Sequence, residues 1–131
     1  GPGDAVFTTP FTYVATAEVI SLLGATPVFV DVYESTFNID CEKLELAIQH
    51  TIAEGELTPK AVIPVDLFGL PARYRLIEEI AKKYDLKVIE DAAQSFGGEI
   101  RDKKVGTFGD VAATSFYQST FYQTMEIPYL F

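Results

Sequence analysis

The residues best suited to chemistry lie in the run Val88 to Phe96, VIEDAAQSF, where an apolar stretch stops on Glu90 and Asp91 and turns through two alanines into Gln94 and Ser95. A strand that is apolar across a core and polar at its carboxyl end is how a parallel sheet opens into a pocket. Gln94 follows Asp91 by about one turn, and Ser115 lies at the end of a later apolar run, Val111 to Phe116. A carboxylate in such a mouth can hold a flat heteroaromatic ring by its edge, pairing with a protonated ring nitrogen. Two further apolar runs also end on acids, Asp31 and Asp66. Were Asp31, Asp66 and Asp91 to converge, their hard oxygens would suit Mg²⁺ in a phosphoryl-transfer site. The plainer alternative is that acids end strands where the chain surfaces.

The elements that must position these groups alternate. Ala5 to Thr9 reads as a strand closed by Pro10, and Thr12 can cap a broadly apolar helix from Val14 that stops at Gly24. Pro27 to Asp31 is the next strand, and Asp40 can cap a helix carrying Leu44, Ala47 and Ile48 at helical spacing. After a polar connection, Glu54 to Pro59, come a strand over Ala61 to Val65 and a turn, Gly69-Leu70-Pro71, with Pro71 suited to the first helical position. Leu76, Ile77, Ile80, Ala81 and Tyr84 mark an amphipathic helix, and Leu86 to Asp91 is the fourth strand. Three alternations of strand and helix with short connections predict an α/β fold, a mostly parallel sheet between helical layers. Beyond Asp91, Gly97 to Ile100 and Lys104 to Gly106 flank Arg101-Asp102-Lys103 as a small hairpin, and Val111 to Phe116 is a fifth strand. From Val111 onward Glu126 is the only charged residue, so this aromatic end must bury itself against the sheet or a partner.

Composition narrows the partners. At 131 residues the chain is one domain's worth of sequence with 48% apolar residues, which can fill a core. The net charge of -9, without a Lys/Arg cluster, argues against nucleic acid and anionic membranes. One cysteine, Cys41, and one histidine, His50, leave neither a disulfide framework nor the usual zinc ligands. No apolar run approaches the ~20 residues a bilayer requires, and no signal peptide opens the chain, so a cytoplasmic protein is expected.

The segments FTYVATAEVISLLGATPVFVDV, FNID, VIPVDLFG, VIEDAAQSFGG and KVGTFGDVAATSF, in that order and spacing, resemble the DegT/StrS family of pyridoxal-phosphate-dependent nucleotide-sugar aminotransferases. The resemblance implies part of the large domain of fold-type I transferases over residues 1–117, followed by an atypical aromatic tail over 118–131. It implies pyridoxal 5′-phosphate as cofactor, with Asp91 on the pyridine nitrogen and Gln94 near the phenolic oxygen. Tyr13 would stack on the ring face, although a buried core tyrosine is the competing reading, and Ser115 would bind the cofactor phosphate. A nucleotide-linked keto-sugar, an amino-acid donor and a homodimer are implied as partners.

One departure counts against activity. The family's Schiff-base lysine follows that serine by five residues, where this chain has Thr120, and no lysine follows Lys104. A hydroxyl can neither tether the cofactor nor shuttle its proton as an amine does. A sister group that removes a sugar hydroxyl has histidine there, but His50 is far away in sequence, and Lys103 and Lys104 read as a solvated hairpin. The family's phosphate loop would precede Gly1, its small C-terminal domain would follow Phe131, and the similarity stops abruptly near Tyr117. The expectation is therefore the central piece of an aminotransferase large domain, inactive by itself. A Mg²⁺-binding doubly wound domain and a non-catalytic interaction module are the alternatives.

Overall fold

The structure, a computed structural model, describes residues 1–95, 99–100, 103–104 and 106–114. Ser115, Thr120 and the aromatic end from Phe116 to Phe131 lie outside the described residues, as does Arg101-Asp102 of the hairpin. Five parallel strands, β1 (Asp4–Thr8), β2 (Thr26–Phe29), β3 (Thr58–Ile63), β4 (Lys87–Asp91) and β7 (Val111–Ala113), form one sheet in the order β2-β1-β3-β4-β7. Helices α1 (Val14–Leu22), α2 (Cys41–Glu54) and α3 (Tyr74–Tyr84) make the crossovers. The hairpin pairs β5 (Glu99–Ile100) with β6 (Lys103–Lys104), antiparallel as expected. The parallel α/β architecture read from the alternation is the one the chain adopts.

The core lies where α2 and α3 cover the sheet: Leu44 and Ile48 of α2 and Ile77 and Ala81 of α3 cluster with Phe7, Val62 and Val88. Burying each large aliphatic chain contributes roughly 2–3 kcal/mol. Asp40 caps α2 as its position suggests, its Oδ1 accepting the N–H groups of Glu42 at 2.9 Å and Lys43 at 3.2 Å. α1 contributes nothing to that cluster and leaves Val14, Val19, Leu22 and Leu23 exposed, Leu22 by 85%.

Three local expectations are corrected. Thr12 does not cap α1: Tyr13 is the N-cap without a side-chain bond, and the Thr12 hydroxyl lies 3.2 Å from that of Thr16. Pro71 does not start α3, because the chain before it is held open. The Ala72 N–H goes to the Asp66 carboxylate and Asn38 Nδ2 donates to the carbonyls of Leu70 and Pro71, so the helix begins at Tyr74. β3 begins at Thr58 instead of Ala61, pairing with β1 through a register shift that leaves Lys60 as the extra residue. Pro59 is tolerated beside that irregularity.

Two phenylalanines, Phe37 and Phe68, have left-handed backbones, with φ of 57° and 55°. Their rings meet edge to face at 6.3 Å, and Phe11 stacks on Phe37 at 4.9 Å. Gly109 is the glycine on which the sheet most depends. Its φ is +67°, and a Cβ there would lie 2.8 Å from the Val88 carbonyl oxygen. That close pass lets Asp110 donate its N–H to Val88 O while its carboxylate accepts the Val88 N–H at 2.9 Å, setting β7 beside β4. Gly109→Ala is expected to cost about 2–3 kcal/mol, the sum of left-handed strain and a backbone clash. Urea unfolding of the two chains measures it, and equal midpoints would contradict the packing argument.

Candidate functional site

β4 carries the site because a strand alternates its faces. Val88 and Glu90 turn toward α3, while Ile89 and Asp91 turn toward α1, where they line a cavity of about 370 Å³ together with Ile63, Val65, Thr16 and Ala113. The volume falls within the range of small-molecule sites. Tyr13 and Gln94 stand at its rim and are shared with a neighbouring hollow of about 400 Å³ that also takes in Phe11 and Phe68.

Among the described residues, each oxygen of Asp91 has one protein donor. The Thr16 hydroxyl donates to Oδ2 at 2.9 Å, and the Ala93 N–H donates to Oδ1 at 3.2 Å. A carboxylate has about four acceptor positions, so the group is oriented yet retains capacity for a ligand N–H. Gln94 is nearly buried, and its Oε1 accepts the Phe68 N–H at 3.1 Å. Only an oxygen can face that N–H, which fixes the amide's orientation and leaves Nε2 as the donor at the rim. Tyr13 is 66% exposed, so it is not the core tyrosine that was the alternative. The structure thus brings Asp91, Gln94 and Tyr13 to one cavity, and Ser115 lies outside the described residues.

The other acids do different work. Asp31 is on the surface, where the Lys43 ammonium at 2.8 Å holds its carboxyl below the usual range. Asp66 is fully buried and accepts three donors: Ala72 N–H at 3.0 Å and Tyr74 OH at 2.6 Å on Oδ1, and Ser95 OH at 3.0 Å on Oδ2. Burial pushes its carboxyl up to about 7 despite those bonds, and the nearby Glu90 adds to the rise. Burial and the adjoining acid push the Tyr74 hydroxyl up as well. The convergence of Asp31, Asp66 and Asp91 that a magnesium site needs is not found, and among the described residues no group of three His, Cys, Asp or Glu could hold a metal ion.

Sequence reasoning missed what holds the site in place. Ser95, tied to Asp66, anchors the turn that follows Asp91. Glu90, read with Asp91 as one acidic stop, is fully buried on the opposite face and accepts Gly106 N–H at 2.7 Å and Phe108 N–H at 2.9 Å. Phe108 in turn stacks on Tyr74 with ring centroids 4.6 Å apart. One signal was present: strand alternation places the side chains of neighbours such as Glu90 and Asp91 on opposite faces.

Against known proteins, residues 1–125 match the model of the DegT/DnrJ/EryC1/StrS aminotransferase family. The chain belongs to this family. Among DegT/DnrJ/EryC1/StrS relatives, the UDP-2-acetamido-2-deoxy-3-oxo-D-glucuronate aminotransferase of Pseudomonas aeruginosa is 50% identical over 121 residues, 91% of this chain and 31% of its own length. The chain therefore spans about a third of the curated relatives it matches. A solved DegT/DnrJ/EryC1/StrS aminotransferase from Brucella abortus superposes with a TM-score of 0.90 at 57% identity, covering 91% of this chain and 32% of that one. The pyridoxal-phosphate form of the putative sugar aminotransferase Spr1654 from Streptococcus pneumoniae gives a TM-score of 0.78 at 31% identity, covering 89% and 32% respectively. These neighbours carry the fold of type I pyridoxal-phosphate-dependent enzymes. Among the described residues no helix is long and apolar enough to cross a membrane.

Proposed function

We propose that this chain is the central part of a pyridoxal 5′-phosphate-dependent aminotransferase that moves an amino group from an amino acid such as glutamate to a keto carbon of a nucleotide-linked sugar, in amino-sugar or polysaccharide biosynthesis. One observation carries the reading: the carboxylate of Asp91, steadied at both oxygens, lines a cavity rimmed by an exposed tyrosine and an amide donor. A carboxylate acceptor beside an amide donor fits a protonated pyridine ring that carries an oxygen. The chemistry such a cofactor supplies when bound is an electron sink for the pair left as the amino donor's Cα proton departs.

In this reading Asp91 holds the proton on the ring nitrogen, Gln94 donates from Nε2 to the ring oxygen, Tyr13 covers a ring face and Ser115 donates to the phosphate. Thr120 stands where the family has its lysine, so this chain by itself lacks both tether and proton carrier. The division at residue 117 stays part of the proposal, although the family match runs on to residue 125. A homodimer fits the bare aliphatic face of α1, and a cytoplasmic setting fits the free thiol of buried Cys41.

Pyridoxamine 5′-phosphate needs no lysine, so it tests the cavity directly by fluorescence titration. Asp91→Asn is expected to bind it roughly 10- to 100-fold more weakly, the worth of a charge-assisted hydrogen bond. Equal affinities would sink the cofactor reading. Borohydride reduction with pyridoxal phosphate, followed by mass measurement, is expected to find no single modified residue, and assay with glutamate and a UDP-linked 3-keto-sugar no amino product. A pyridoxyl group on one lysine together with turnover would overturn the inactivity.

A further inference from the structure

Thr16 is the third residue of α1, where a threonine hydroxyl ordinarily turns back to the helix's own backbone. Here it reaches a residue 75 positions away, donating to Asp91 Oδ2 at 2.9 Å. Its single proton is committed to the carboxylate, the strongest acceptor within reach, so in the 3.2 Å contact between Thr12 and Thr16 the donor must be Thr12. The result is a directed chain, Thr12 O–H to Thr16 Oγ1 and Thr16 O–H to Asp91, that starts at a residue lining the cavity and ends on its carboxylate. Each link polarises the next.

We infer that Thr16 is a positioning residue: its hydroxyl, oriented by Thr12, locks the Asp91 carboxylate in the rotamer that presents its remaining lone pairs to a ring N–H in the cavity. The inference rests on the proposed cofactor role of Asp91 and adds what fixes that group before any ligand arrives. The Ala93 N–H alone cannot do so, because it comes from the turn two residues on and moves with the chain that carries Asp91. Thr16 is nearly buried on a separate element, so it supplies a reference point that the turn lacks.

The full chain is compared with Thr16→Val, which keeps the shape without the hydroxyl, and with Thr16→Ser, which keeps the hydroxyl without the methyl. Circular dichroism establishes that each folds. NMR couplings that report Asp91 χ1 are expected to show one rotamer in the parent and in Thr16→Ser, and rotamer averaging in Thr16→Val. A single unchanged rotamer in Thr16→Val, or averaging that serine fails to restore, overturns the inference.

With pyridoxamine 5′-phosphate added, the near-ultraviolet band reports the ring-nitrogen proton across pH. Thr16→Val is expected to lower the pH at which the bound ring loses it by about one unit, the shift given by a roughly tenfold loss of correctly placed carboxylate. An unmoved midpoint likewise overturns the role of Thr16. Should the parent and Asp91→Asn bind the probe alike, or not at all, the cofactor reading fails, and the couplings alone still decide whether Thr16 sets Asp91.

Discussion

Raising the pH from 5 to 8 is expected to weaken the folded chain by about 3 kcal/mol, and Asp66→Asn to remove most of that loss. The cause is burial: inside the protein the Asp66 carboxyl is pushed up to about 7, whereas in the unfolded chain it titrates near 3.9. Below the unfolded value both states hold the proton and stability is at its full level. Between the two values only the folded chain holds it, so stability falls as pH rises and levels off once the folded group ionises. At roughly 1.4 kcal/mol per pH unit, the two units from pH 5 to 7 give the expected size.

The network around Asp66 explains why one substitution suffices. Ala72 N–H and Tyr74 OH both donate to Oδ1, so the proton belongs on Oδ2, where the Ser95 hydroxyl can reverse from donor to acceptor. Asparagine reproduces that protonated pattern, with its oxygen toward Ala72 and Tyr74 and its NH₂ toward Ser95. The exposed acids held low by partners, Asp31 beside Lys43 and Glu45 beside Lys83, lose their contribution only as the pH falls below the ordinary carboxylate range and do not intrude on this window. Urea midpoints for both chains at pH 5, 6, 7 and 8 measure the effect. Parallel curves would show that Asp66 ionises without penalty and would refute the account.

Glu90→Gln is the second large effect, an expected loss of about 2–4 kcal/mol. The two carboxylate oxygens each accept one backbone N–H, from Gly106 and from Phe108. An amide has one oxygen, so whichever way it turns its NH₂ confronts one of those N–H groups where no water enters. The damage would spread, because Phe108 stacks on Tyr74, and Tyr74 is tied to Asp66. Chemical denaturation gives the magnitude, and limited proteolysis between residues 104 and 110 shows where the chain opens. Undiminished stability would mean that the turn from Gly106 to Phe108 is held by other contacts.

What could be read from the sequence was what depends on local pattern. Alternation of apolar runs and helical spacings is enough for parallel strands under helices, and Asp40 and Gly24 mark a helix start and a helix end that the chain uses. The abrupt passage from Ile89 to Asp91 pointed to the mouth where Gln94 and Tyr13 also meet. Illegible were contacts made only by closure of the fold. Thr16 and Asp91 are far apart in sequence, and nothing local says that a helix hydroxyl will spend itself there. Asp66 looked like a strand end reaching solvent and proved interior, because α3 and the turn after β4 close over it. Thr12 was read as a cap by its neighbours in sequence, whereas its partner is one turn further along.

The left-handed backbones of Phe37 and Phe68 carry a consequence for how this surface tolerates change. Each costs about 1–2 kcal/mol relative to a residue at ease in that region, and Phe68 keeps 67% of its surface in solvent, so its ring recovers little of that cost through burial. Glycine or asparagine would sit there with less strain. Replacing either ring therefore trades relief of the backbone against the contacts that Phe11, Phe37 and Phe68 make with one another.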